Sequence, residues 1–256
     1  MKLIKWLTGQ TILFLLLSTL LYANPVVYAP KTINGIYVDQ IVIDLNSPLV
    51  VIKPALAIFN HGKPNPAEPF KQFINRLYPT AAINGTFHDT RTYHLAGTVI
   101  INGKIKSFYP RGTAILISRN NKVSFLPAKL LPAYLPNDID VITSGPTLIF
   151  HRKIQLYPKA EGFFDPSLFR PAYRSALGLT SHNKLILVTV RQPILLRQLA
   201  KIMLSLSCVY AASLDGGQSS GLYFNGKIIT KPGRLLTNVL VVYRQKIQAS
   251  YQLAEY

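Results

Sequence analysis

One stretch of the chain, residues 211–226 (AASLDGGQSSGLYFNG), concentrates residue types that do chemistry. An apolar run ending at Leu214 reads as a buried strand, and it delivers Asp215 at its end. No other acid lies between Asp165 and Glu255. Gly216 and Gly217 follow, then Gln218 and two hydroxyls, Ser219 and Ser220. Glycines let a ligand approach the main chain closely, and successive N–H groups in such a turn can form an anion-binding nest. A carboxylate beside exposed amides and hydroxyls suits binding or cleaving a polar, anionic molecule. The bland alternative is a tight Asp-Gly-Gly turn.

Three other places carry comparable chemistry. A small apolar strand, residues 81–83, runs into Asn84-Gly85, with His88 and Asp89 close behind. Histidine beside a carboxylate is a candidate acid or base near neutral pH; a surface histidine is the competing reading. Ser144-Gly145 reads as a kink or exposed backbone between two strands. Arg174 opens a strand, and its planar guanidinium suits bidentate binding of phosphate or carboxylate oxygens. An ordinary surface salt bridge is its competitor.

These residues must be positioned by a β-rich scaffold. Alternation of apolar and polar residues predicts strands over 35–45 and 49–52, with Asp39 and Asp44 facing solvent. Asn102-Gly103 and Asn225-Gly226, each between apolar runs, predict two-residue type I′ hairpins. Apolar residues at Phe70, Phe73, Ile74 and Leu77 predict a short helix. A longer helix is expected from Pro193 to Ser207, with the proline in its first turn. Residues 127–136 form a proline-spaced connection. Residues 158–171 form a long aromatic loop, either a lid over a site or a cap on the core. The expected fold is α+β: one domain, mainly antiparallel or mixed β-sheet with many hairpins and two main helices.

Composition narrows the function. Residues 1–29 have the form of a secretory signal peptide: Lys2 and Lys5, an apolar run, and a small-residue site ending at Ala29. The folded domain then spans 30–256, exported to periplasm or exterior; an uncleaved anchor is the alternative. The lone cysteine, Cys208, sits in an apolar run and reads as core. The formal charge is +18, which favours anionic partners: an anionic glycan, a glycosyl phosphate, or peripheral contact with an anionic membrane surface. The basic residues are scattered rather than blocked, which argues against a specific nucleic-acid partner. Solubility in its compartment is the other reading of the charge. No cofactor requirement is legible, and nothing fixes a metal or the oligomeric state.

Five segments then occur in a telling order: AAINGTFHD (81–89), SGPTLI (144–149), RSALGLT (174–180), ASLDGGQSS (212–220) and RLLTNVLVV (234–242). Together they resemble the phosphodiester glycosidase family, whose members include the uncovering enzyme that removes N-acetylglucosamine from a phosphodiester on mannose. The resemblance covers roughly residues 81–243. It implies hydrolysis of a sugar-1-phosphate diester, with Asp215, Arg174 and Asn84 as catalytic residues. It implies Gly216, Gly217, Ser219, Ser220, Ser144, Gly145, His88, Asp89 and Asn238 as substrate-binding residues. The chain departs from the family pattern where Gln218 replaces a third glycine and where Thr86 and His88 stand near the first motif. It departs again where Thr189-Val190-Arg191 and Gln198 stand at positions that often carry carboxylates. A degenerate pocket that binds anionic glycan without cleaving it is the alternative function.

Overall fold

The computed structural model describes residues 24–131 and 138–245. The expected signal segment therefore lies outside the described residues up to position 23, as does half of the proline-spaced connection, residues 132–136.

Three sheets organise the chain, and every strand pairing among the described residues is antiparallel. The largest has eight strands. Its centre runs Ile36–Asp44, Lys184–Ile194, Ala172–Thr180, Cys208–Ser213, Thr147–Phe150. A second sheet is centred on Ile139–Ser144, and a third places Ala81–Asn84 between Leu222–Phe224 and Asn238–Arg244. Both expected type I′ turns are present, with positive φ at Asn102 and Gly103 (51° and 71°) and at Asn225 and Gly226 (41° and 87°).

The sheets share one apolar interior because successive residues of a strand face opposite ways. Leu240 and Val242 point into the central core with Ile41, Ile83, Ile115 and Leu177. Val239 and Val241 point outward, onto Phe70 and Phe73 of the Phe70–Leu77 helix. In the same way Leu177 faces the centre while Ala176 packs with Leu199 and Met203 of the Leu196–Ser205 helix. Strands buried on both faces read as nearly continuous apolar runs, as residues 239–242 do.

Several expectations change. The longer helix begins at Leu196, not at Pro193, which lies in the preceding strand. The Gln198 side chain accepts the Leu195 N–H at 2.9 Å, so this residue caps the helix. Asp39 is buried, not solvent-facing: it accepts from the Tyr28 hydroxyl (2.7 Å) and from Arg191 Nε (2.8 Å). Val26–Tyr28 is a strand paired with residues 41–43, so a cut after Ala29 would strip an edge from the large sheet. Cys208 is buried, as read, and burial pushes its thiol up to about 12. Among the described residues no helix is long and apolar enough to cross a membrane.

Two buried asparagines tie strand ends to loops. Asn84 donates from Nδ2 to the Asp215 carbonyl (2.6 Å) and accepts the Gly221 N–H at Oδ1 (3.0 Å). Asn238 accepts the Thr86 N–H (2.8 Å) and donates to the Thr86 carbonyl (3.2 Å). Gly85 lies against this staple; a Cβ there would sit 1.8 Å from Asn238 Oδ1. Overpacking a rigid core and losing its hydrogen bonds both destabilise, so Gly85→Ala is expected to cost about 3 kcal/mol. The urea midpoint measures this. Adding Asn238→Ala should cost less than the sum of the two single changes; strict additivity would contradict the clash.

Candidate active site

The Cys208–Ser213 strand and the Ala81–Asn84 strand end side by side, and Asp215 N–H donates to the Gly85 carbonyl (3.2 Å). The loops that continue from these ends form the floor of a cleft of about 600 Å³. Asp215, Gly216 and Gly217 come from one loop, Phe87 and His88 from the other. The long aromatic loop supplies a wall through Phe163, Phe164 and Leu168. It is lid and cap together: Phe163 and Leu168 are buried in the core while Phe164 is 69% exposed.

Asp215 is a half-buried carboxylate of this cleft, its side chain 17% exposed. His88 Nδ1 lies 3.5 Å from Asp215 Oδ2, with the imidazole stacked on Tyr93 at 5.2 Å. The surface reading of His88 therefore fails. Desolvation, with Arg234 adding repulsion, pushes the imidazole down to about 4. Desolvation pushes the Asp215 carboxyl up to about 6, against the Ser219 hydroxyl, Arg234 and the Gly216 amide, which favour its ionised form. The proton affinities are thus reversed from their ordinary order. Near neutral pH the imidazole is neutral and the carboxylate mostly charged, so the contact is not an ion pair.

Gly217 has φ +58°, a conformation that favours glycine. A Cβ on Gly216 would sit 2.9 Å from the Tyr173 carbonyl. The N–H groups of Gly217 and Gln218 donate to no protein acceptor among the described residues, as expected at the start of a short 3-10 turn. Both residues lie on the cleft wall.

Arg174 also lines the cleft, yet it is not the free anion clamp expected from sequence. Its Nε donates to the Ile194 carbonyl (3.1 Å), and its Nη2 to those of Leu168 (3.0 Å) and Arg170 (2.6 Å). It pins the aromatic loop to the large sheet. It brings a buried cation to the wall with no carboxylate partner among the described residues, and burial lowers its proton affinity.

The other expected residues divide in two. Asp89 reaches the wall, but its Oδ1 is spent on Arg91 N–H, Thr92 N–H and the Thr92 hydroxyl. Asn84, expected to be catalytic, is off the wall because backbone groups occupy both polar atoms of its side chain. Asn238 is a staple for the same reason. Ser144 donates to the Ser213 carbonyl (2.5 Å), and Gly145 packs beneath the Phe163 ring. Ser219 and Ser220 are buried behind the glycines. Thr189 and Gln198, where the resemblance suggests carboxylates, are both away from the cleft. Thr189 bonds Thr230 inside the sheet at 2.7 Å.

Sequence reasoning missed two cations. Arg234 acts on both Asp215 and His88; its one signal was its place after the Pro232-Gly233 turn at the head of the last motif. Arg111 lies over the Phe163 ring at 4.8 Å and donates to the Gly162 and Ala96 carbonyls. Nothing local to Pro110-Arg111-Gly112 marks it. Among the described residues no cluster of three or more His, Cys, Asp or Glu could hold a metal ion.

The phosphodiester glycosidase family matches residues 79–243. No curated protein matches the chain. Among solved structures, a hypothetical protein from Synechocystis superposes with TM-score 0.66 at 17% identity, covering 85% of this chain. This chain spans 61% of that protein's length. The catalytic domain of zebrafish N-acetylglucosamine-1-phosphodiester alpha-N-acetylglucosaminidase, auto-inhibited by its pro-peptide, superposes with TM-score 0.64 at 20% identity. That match covers 86% of this chain and 82% of the other. A protein from Burkholderia pseudomallei gives TM-score 0.62 at 12% identity, covering 81% of this chain and 74% of the other. At these identities the structures establish a shared fold.

The reversed proton affinities have a stability consequence. Because the folded pKa of Asp215 is raised, its stabilising contribution is full below the unfolded value of about 4 and is lost as pH rises through about 6. Asp215→Asn removes the buried charge. It is expected to be more favourable to stability at pH 8 than at pH 4 by up to about 3 kcal/mol. Urea unfolding at both pH values checks this; an equal effect at both would contradict it.

Proposed function

The chain belongs to the phosphodiester glycosidase family, and on that premise we propose that it is an exported hydrolase of glycosyl phosphodiesters. Family membership implies a glycosyl-phosphate ligand and phosphodiester glycosidase activity. The sugar-1-phosphate diester of an envelope glycan or exopolysaccharide, met outside the cytoplasm, is the finer reading.

The observation that carries this reading is the half-buried carboxylate Asp215 in a cleft lined by Arg111, Arg174 and Arg234, whose other acids, Asp89 and Asp165, accept from backbone N–H groups of their own turns. Ordinary glycosidases need two carboxyl groups, one of them to protonate the leaving oxygen. A phosphate leaving group is already a weak base and needs electrostatic support more than a proton. Arg234 and the partnerless charge of Arg174 stand where such support is required. In the proposed reaction the bond between the anomeric carbon and the phosphodiester oxygen breaks, and its electron pair leaves with the phosphate. Water adds to the anomeric carbon and gives its proton to Asp215. The products are a free sugar and a phosphomonoester. Neutral His88, 3.5 Å from one carboxylate oxygen, leaves the charge of Asp215 intact.

The competing reading, a pocket that binds anionic glycan without cleaving it, drew on the absent carboxylates at Thr189 and Gln198. Neither residue lines the cleft, so their identity does not disable Asp215.

The test is hydrolysis of an N-acetylglucosamine 1-phosphodiester of mannose by the purified protein. Asp215→Asn is expected to lower kcat/KM by about 10²–10⁴-fold, the usual range for losing a general base. Because the base must be ionised, kcat/KM of the wild type should rise with pH through about 6 and then level. Turnover unchanged in Asp215→Asn would refute the assignment.

A further inference from the structure

The Phe70–Leu77 helix ends on a residue that its backbone conformation disfavours. Tyr78 caps it in the left-handed region, with φ 47° and ψ 48°, and donates its N–H to the Ile74 carbonyl at 2.9 Å. Glycine or asparagine is the usual occupant there, because a bulky side chain strains the backbone. Tyr93 shares the conformation, but it is buried and stacked on His88, so packing holds it. Tyr78 gains no such burial. Its ring is 83% exposed, the most of any large apolar side chain among the described residues. A strained backbone that carries an unburied ring points to a use for the ring in solvent.

The surroundings of Tyr78 supply one. Pro79 leads into the Ala81–Asn84 strand, and the Asn225 N–H donates to the Thr80 carbonyl at 2.9 Å. The Asn225-Gly226 turn therefore meets the same strand end, and a groove of about 360 Å³ lies between them. Ile74, Pro79 and Ile228 give the groove apolar surface. The Tyr223 hydroxyl accepts the Gly226 N–H at 2.8 Å, which fixes a second ring in it. Lys71 lines the groove and Lys227 follows Gly226, both exposed. No acid lines it. Asp215 lies beyond the other end of the strand, with about 16 Å of extended chain between Pro79 and Asn84. The groove shares no lining residue with the cleft or with the depressions beside it.

We propose that this groove is a second, non-catalytic binding site, for an anionic polysaccharide. Sugar rings stack on Tyr78 and Tyr223, and the acidic substituents meet Lys71 and Lys227. Aromatic faces alone suit a proline-rich peptide, and cations alone suit any polyanion. Rings and cations together, with no acid between them, select a charged glycan. A polymer held here presents its other segments to the cleft at raised effective concentration.

The experiment titrates an alginate hexasaccharide into the purified protein by calorimetry. Maltohexaose supplies sugar without charge, hexaglutamate charge without sugar, and decaproline a peptide without either. Alginate is expected to bind about ten-fold tighter than each of the three, or more. Tyr78→Gly removes the ring and relieves the backbone together. Its melting temperature should hold or rise while its alginate affinity falls about ten-fold. Tyr78→Phe should keep the affinity, and Lys71→Ala should weaken it and flatten its salt dependence. Turnover of the short diester should be equal in the wild type and Tyr78→Gly, so failure of the reaction proposed above leaves this site standing. Alginate affinity unchanged in Tyr78→Gly, or lost together with melting temperature or turnover, overturns the site. Hexaglutamate or decaproline binding as tightly as alginate overturns the glycan as its ligand.

Discussion

The rest of the site depends on one constraint: a half-buried carboxylate is held at the floor of a cleft beside an imidazole whose own burial opposes taking its proton. Burial raises the affinity of Asp215 for a proton and lowers that of His88. A histidine with its ordinary pKa could form an ion pair and quench the carboxylate. Here the imidazole stays neutral, so Asp215 keeps its charge and its basicity. Charge support comes instead from arginines at the wall, where a leaving anion can use it.

Holding a charge in that position is costly, and the fold meets the cost with buried polar groups of fixed geometry. Asn84 ties the 215–221 loop to one strand end, and Asn238 ties the 85–86 segment to another. Arg174 does the same for the aromatic loop by donating to three carbonyls. Elsewhere a similar device joins helix to loop: Glu68, fully buried, pairs with Arg76 of the Phe70–Leu77 helix. Each of these satisfies backbone groups that the loops would otherwise leave orphaned. The two asparagines shape the site from behind its wall, whereas Arg174 also lines it.

This division explains how much was legible in the sequence. Features set by local rules could be read. The Asn-Gly hairpins follow from left-handed φ, the Phe70–Leu77 helix from its periodicity, and the strand before Asp215 from its apolar run. The motifs found the correct strand ends. What they could not give was which residue of a motif faces the cleft and which faces the backbone. Asn84 and Asp215 belong to equally suggestive segments, yet Asn84 turns to the Asp215 carbonyl while Asp215 turns to the cleft. Asp39 reads as a solvent-facing strand residue until Arg191, 152 positions away, reaches it. Arg234 and Arg111 are ordinary turn residues until the sheets bring them to the cleft. In each case the deciding contact is non-local, and no window of sequence contains both partners.

The most direct test of the central claim is a titration of the two groups themselves, by NMR of the Asp215 carboxyl carbon and the His88 ring. The account predicts that Asp215 titrates near 6 and that the His88 imidazole stays neutral down to about pH 4. A His88 that protonates above pH 6 beside an Asp215 still ionised at pH 4 would be an ordinary ion pair, and would contradict it.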